Sequence, residues 1–159
     1  MKKVMSRIYR TIMIAIIVSG LFFILLSALG VVTVVKGHGN SMEPNLSDGE
    51  MYLMVKTRPE KIKRGDVIGA VLEDGTRATK RVIGLPGEHI IIGYSSIWID
   101  HDWIEEDYLE YPGWNDFGTY DTELTLKKNE FYLMGDNRRG GTWCGIVTGE
   151  QILGRVIGR

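Results

Sequence analysis

The sequence has one cysteine, Cys144, and only four prolines. A single thiol excludes an intramolecular disulfide and any zinc cluster built from thiolates. The three histidines, His38, His89 and His101, lie far apart without metal-ligand spacing, so no metal or cofactor is expected. A net charge of −1 lacks the basic footprint of nucleic-acid binding, and no nucleic-acid partner is expected. Acidic residues are missing altogether before Glu43, and charge of either sign is missing from Thr11 to Val35.

That uncharged run, TIMIAIIVSGLFFILLSALGVVTVV, follows Lys2, Lys3, Arg7 and Arg10. As a helix it would reach roughly 37 Å, enough to cross a hydrocarbon core of about 30 Å with some tilt. A buried core helix would carry a polar stripe. A cleavable signal peptide is the nearer rival, because Ala28-Leu29-Gly30 has the small-x-small form of a cleavage site. The run is much longer than the roughly 7–15 residues of an ordinary signal-peptide core, which favours a retained anchor. The reading is therefore a basic cytoplasmic tail at 1–10, a transmembrane anchor at 11–35 and an extracytoplasmic domain at 36–159. The positive flank keeps the N-terminus in the cytoplasm, at a plasma membrane.

Beyond Lys36-Gly37-His38-Gly39-Asn40 the chain is a series of short apolar runs: Met51 to Val55, Asp66 to Leu72, Arg81 to Leu85, His89 to Ile92, Ile97 to Ile99, Glu130 to Met134 and Gln151 to Gly158. Turn signals separate them at Ser47-Asp48-Gly49, Glu73-Asp74-Gly75, Pro86-Gly87 and Lys127-Lys128-Asn129. Twenty glycines fit this turn-rich, mainly β pattern, an antiparallel sandwich or partly open barrel. Asp102 to Tyr120, rich in acids and aromatics, reads as an irregular excursion from the sheet.

Two segments can carry chemistry. In Gly39 to Leu46, GNSMEPNL, Ser41 sits where an extended entry meets a turn, and Pro44 biases Glu43 away from helix. A small Gly39 leaves room for another chain's backbone. Such a site offers an exposed hydroxyl with backbone N–H groups nearby, although most serines before turns are simply turn residues. In Arg77 to Gly87, RATKRVIGLPG, strand alternation groups Lys80 with Ala78 and Val82, and Arg81 with Arg77, Thr79 and Ile83. A lysine among apolar groups loses solvation of its charged form, so its pKa falls and its amine can accept a serine proton. The plain alternative is a lysine whose stem covers apolar surface. Cys144 and His38 are weaker candidates for nucleophile and base. No histidine neighbours Cys144 in sequence, and His38 falls on the opposite strand face from Ser41.

SMEP at Ser41 to Pro44, GDVI at Gly65 to Ile68, KRVIGLPG at Lys80 to Gly87 and GDNR at Gly135 to Arg138 occur in that order behind one anchor. This set resembles the bacterial type I signal peptidases, peptidase family S26, in their Ser-Lys, single-anchor Gram-positive form. Ile97 to Leu109, IWIDHDWIEEDYL, is similar to the family's strand-turn-strand segment, with Asp100-His101 where Asn-Gly is usual. The resemblance covers nearly the whole chain. It implies a mainly β, signal-peptidase-like antiparallel domain with one N-terminal transmembrane helix, and a serine endopeptidase cutting signal peptides from exported preproteins after Ala-x-Ala. Preprotein signal peptides and the lipid bilayer are the implied partners.

By the same resemblance Ser41 matches the nucleophile and Lys80 the general base. The Ser41 N–H matches an oxyanion donor, and Gly39 stands where some relatives have a helping serine. Met42 and Leu46 match positions beside the substrate pockets. Val35 to Ser41 and Arg77 to Lys80, with Thr79 between, would hold substrate as an added strand. Arg81, Gly135, Asp136 and Asn137 match structural motif positions. The last motif departs from the pattern: the serine that bonds the lysine falls at Gly141, and the acid that pairs with the arginine falls at Trp143. Arg81 is thus expected to lack its partner, and Thr142 is the one nearby hydroxyl that could serve Lys80. The alternative this sustains is a weakly active or non-catalytic relative assisting surface-protein or pilus assembly, with assembly factors as partners. The self-cleaving Ser-Lys repressors are excluded by the anchor.

Overall fold

The computed structural model describes residues 2–93, 96–109, 122–138 and 143–158, with side chains from residue 5 onward. The chain divides into two compact units, residues 1–33 and 34–159.

The first unit is dominated by helix α1, Lys2–Ala28. Its stretch Met5–Ala28 is long and apolar enough to cross a membrane. The helix ends well before the uncharged run does. Gly30 takes a left-handed φ of 65°, its N–H bonds the Ser27 carbonyl and the Val31 N–H bonds that of Leu26, a Schellman stop. The β-branched residues that follow then form strand β1, Val32–Lys36. Apolarity alone could not separate these two states.

Every apolar run named above overlaps a strand, and β4 begins four residues before its run: β2 Met51–Val55, β3 Val67–Val71, β4 Arg77–Gly84, β5 His89–Ile92, β6 Ile97–Ile99, β9 Glu130–Met134 and β11 Ile152–Val156. Three further strands, β7 Asp102–Trp103, β8 Thr122–Thr125 and β10 Gly145–Thr148, are short or polar and gave no clear apolar signal. β7 also trims the expected irregular segment, whose residues 110–120 lie outside the described ones. Among the described residues, seven strands form one sheet in the order β1-β2-β11-β3-β4-β9-β10, and four form a second in the order β7-β6-β5-β8. All the registers determined are antiparallel, as expected for a signal-peptidase-like β fold.

One apolar cluster joins Ile83, Tyr132 and Met134 of the larger sheet to Ile90, Ile92, Ile97 and Ile99 of the smaller. Gly84 makes that approach possible: a Cβ there would lie 2.2 Å from Ile90 Cδ1 and 2.8 Å from Leu126 Cδ1. A second cluster gathers Ile68, Ala70, Val82, Phe131, Leu133 and Val147. A third, of Met42, Leu46, Tyr52, Val67 and Val156, fastens the loop between β1 and β2 to the larger sheet.

Candidate active site

Lys80 lies inside β4, which is hydrogen-bonded to β3 on one side and β9 on the other. Its ladder partner is Ile68, and Ile68 and the nearby Val82 are both fully buried. Lys80 itself is 5% exposed. Burial lowers its amine pKa from 10.5 to about 8, while the charge of Asp136 acts in the opposite direction. Lys80 Nζ donates to Ser41 Oγ at 2.6 Å. Residues thirty-nine apart in the chain thus share one short hydrogen bond. An amine so placed, when neutral, can accept the proton of that hydroxyl.

Ser41 belongs to a loop turn closed by Glu43 N–H to the Asn40 carbonyl and Leu46 N–H to the Met42 carbonyl. The Glu43–Pro44 peptide is cis. Met42 and Leu46 are buried in the third cluster, so they root the turn in the sheet. Gly39 has a left-handed φ of 80°, and its N–H donates to Asp48 Oδ1 at 2.9 Å. Glycine is favoured there by conformation, in addition to its small size. Thr79 shares a hydrogen bond with the Tyr52 hydroxyl at 2.6 Å, tying β4 to β2.

Arg81 corrects the sequence reading. It does not lack a carboxylate: Nε donates to Asp136 Oδ1 at 2.8 Å and Nη2 to Oδ2 at 2.5 Å, with both side chains almost wholly shielded from water. Nη1 reaches the Gly65 carbonyl at 2.7 Å, and the guanidinium lies 4.1 Å from the Tyr108 ring centre. Burial alone would lower the Arg81 pKa, but the hydrogen bonds and charge of Asp136 turn the net shift upward. The aspartate of the GDNR segment therefore supplies what was sought at position 143, where Trp143 is exposed. Gly141 and Thr142 lie outside the described residues.

Residues 135–138 also reach the Ser41 turn. The Asn137 N–H donates to the Ser41 carbonyl and Asn137 Nδ2 to the Asn40 carbonyl, both at 3.1 Å. The segment is braced by Arg138, whose Nε donates to the Gly135 carbonyl at 2.7 Å and whose Nη2 meets Glu106 Oε1 at 2.5 Å in a buried pair. The Tyr108 hydroxyl donates to the same carboxylate. Burial, and after it the Glu106 charge, raises the Tyr108 pKa, so this phenol stays a donor. Sequence reasoning missed Asn45, Glu106 and Tyr108. Their signals were present, Asn45 beside the SMEP motif and the other two in EEDYL, but nothing in the sequence paired them.

His38 is exposed. Cys144 is half-buried against the apolar cluster that joins the sheets.

Comparison with known proteins places the chain in a family. The family model described as "Signal peptidase, peptidase S26" matches residues 6–159. A signal peptidase I P from Bacillus subtilis subsp. natto is 32% identical over 135 residues, covering 73% of this chain and 69% of that protein. A signal peptidase I from Streptococcus pneumoniae TIGR4 is 38% identical over 96 residues, 57% of this chain and 46% of that one, so the chain matches about half the length of this relative. A crystal structure of a signal peptidase I from Enterococcus faecalis V583 superposes with a TM-score of 0.50 at 28% identity, covering 60% of this chain and 96% of that one. A family match over residues 6–159, on an antiparallel β domain that brings a serine and a lysine together, has one reading: the chain belongs to peptidase family S26, among the bacterial type I signal peptidases.

Proposed function

We propose that the chain cleaves signal peptides from exported preproteins with Ser41 as nucleophile and Lys80 as general base. The observation that carries this is the 2.6 Å contact from Lys80 Nζ to Ser41 Oγ, made by a buried lysine whose pKa is lowered to about 8. Neutral Lys80 takes the Ser41 proton as Oγ attacks the scissile carbonyl. The Ser41 N–H steadies the oxyanion. The Lys80 ammonium then protonates the leaving amine, and water hydrolyses the acyl-enzyme with Lys80 again as base.

Substrate adds as a strand between Val35 to Ser41 and Arg77 to Lys80, with Ala-x-Ala before the cut. The apolar helix lies in the plasma membrane with the basic N-terminus in the cytoplasm and the peptidase domain outside. Sharing a bilayer with the signal peptide raises the effective substrate concentration. The test is cleavage of an Ala-x-Ala preprotein by the full chain in detergent micelles. Wild type cleaves, and Ser41→Ala and Lys80→Ala each lose at least about 10³-fold in kcat/KM, as removal of a nucleophile or its base generally does. A folded wild type that binds signal peptides without cutting them refutes the catalytic reading and supports a role in surface assembly.

A further inference from the structure

One carboxylate holds both halves of the site. Asp136 accepts from Arg81, the residue after Lys80, and its Oδ2 also accepts from Asn45 Nδ2 at 2.9 Å. Asn45 lies four residues after Ser41 in the same turn. The Asn45 amide has a second acceptor, the Tyr108 carbonyl at 2.8 Å. A single NH2 group therefore bridges the loop of residues 135–138 and the segment ending at Leu109. At its other end the Ser41 turn is held by Asn137 through the Ser41 and Asn40 carbonyls.

We propose that Asn45 is a positioning residue for the reaction: by using both amide hydrogens to tie the nucleophile's turn to Asp136 and Tyr108, it sets the separation of Ser41 from Lys80. The proposal rests on the Ser41–Lys80 reading above. Geometry makes this assignment specific. Lys80 is fixed by the pairing of β4 with β3, whereas Ser41 sits in a loop rooted by Met42 and Leu46 and aligned by the Asn137 N–H and side-chain bonds. Asn45 is the amide that joins that loop to the carboxylate fixed on β4 through Arg81. An alanine keeps the turn's backbone bonds and removes both donors. A threonine returns one hydroxyl donor, which can serve one of the two acceptors.

The experiment compares full-length wild type, Asn45→Ala and Asn45→Thr in detergent micelles. It measures kcat and KM on the Ala-x-Ala preprotein, the pH midpoint of kcat/KM, and the Lys80 titration by NMR of isotope-labelled lysine. Asn45→Ala lowers kcat about 10- to 100-fold, the usual scale for one lost hydrogen bond at a reacting centre, with KM within about twofold. Its Lys80 midpoint moves to higher pH, since a looser turn admits water and Asp136 is left less neutralised. Asn45→Thr falls between. Lower thermal stability with unchanged kcat and an unchanged Lys80 midpoint, in whichever variant folds, overturns the proposal. If wild type itself fails to cleave, the Ser41–Lys80 reading has failed; the Lys80 midpoint still reports separately whether Asn45 controls that amine's surroundings.

Discussion

Lys80 and Ser41 meet in one hydrogen bond but are held there by different means. Lys80 is part of strand β4, paired with Ile68 of β3, and its environment is the packing of the sheet. Ser41 is in a loop, rooted by Met42 and Leu46 and aligned by polar links from Asn137, Asn45 and Asp136. The difference separates two properties of the site. The lowered pKa belongs to the strand, because desolvation is its first cause. The distance belongs to the loop, because that apolar root and those polar links set it. Asp136 is where these two kinds of support converge.

Asp136→Asn is the strongest way to break the arrangement. It leaves the buried Arg81 charge without its carboxylate, at a cost of about 3–5 kcal/mol on the scale of broken buried pairs. Thermal unfolding of the full chain in micelles reads that loss. The same change removes the charge that holds the Lys80 pKa up, so the pH midpoint of kcat/KM falls in whatever remains folded. A midpoint that rises instead would mean the loop change dominates over the charge.

Gly84→Ala is a smaller perturbation and acts where β4 packs against the smaller sheet, away from Lys80. Its Cβ would press on Ile90 Cδ1 and Leu126 Cδ1, and overpacking of this kind costs about 1–3 kcal/mol. The melting temperature falls, while kcat and the pH midpoint of the folded enzyme stay within about twofold of wild type, since the contact lies between the sheets. A large kcat loss here would show that the two kinds of support are not separable.

How much of this was legible in the sequence follows the same division. The strand half was readable: short apolar runs and turn residues located β2 to β6, β9 and β11, and the ordered motifs singled out Ser41 and Lys80. Alternation alone misjudged Arg81, which is as buried as Lys80 because both faces of β4 are covered at that point. The loop half was not readable. Nothing local says that Asn45 faces Asp136, ninety-one residues away, or that Glu106 pairs with Arg138. The acid expected at position 143 is absent, yet Arg81 is not unpaired, because a carboxylate already in the GDNR motif reaches it. The helix end was hidden for another reason: the apolar run continues through Gly30 into the valines of β1, and hydrophobicity does not change where the conformation does.

The central claim is that a neutral Lys80 activates Ser41. The most direct test is the pH dependence of kcat/KM for the full chain on an Ala-x-Ala preprotein. Since the free enzyme must have lost the Lys80 proton, the rate rises with pH and reaches half its maximum near pH 8, the value set by burial. A rate that does not change across that range, or a Lys80→Met variant that keeps wild-type activity, would contradict it.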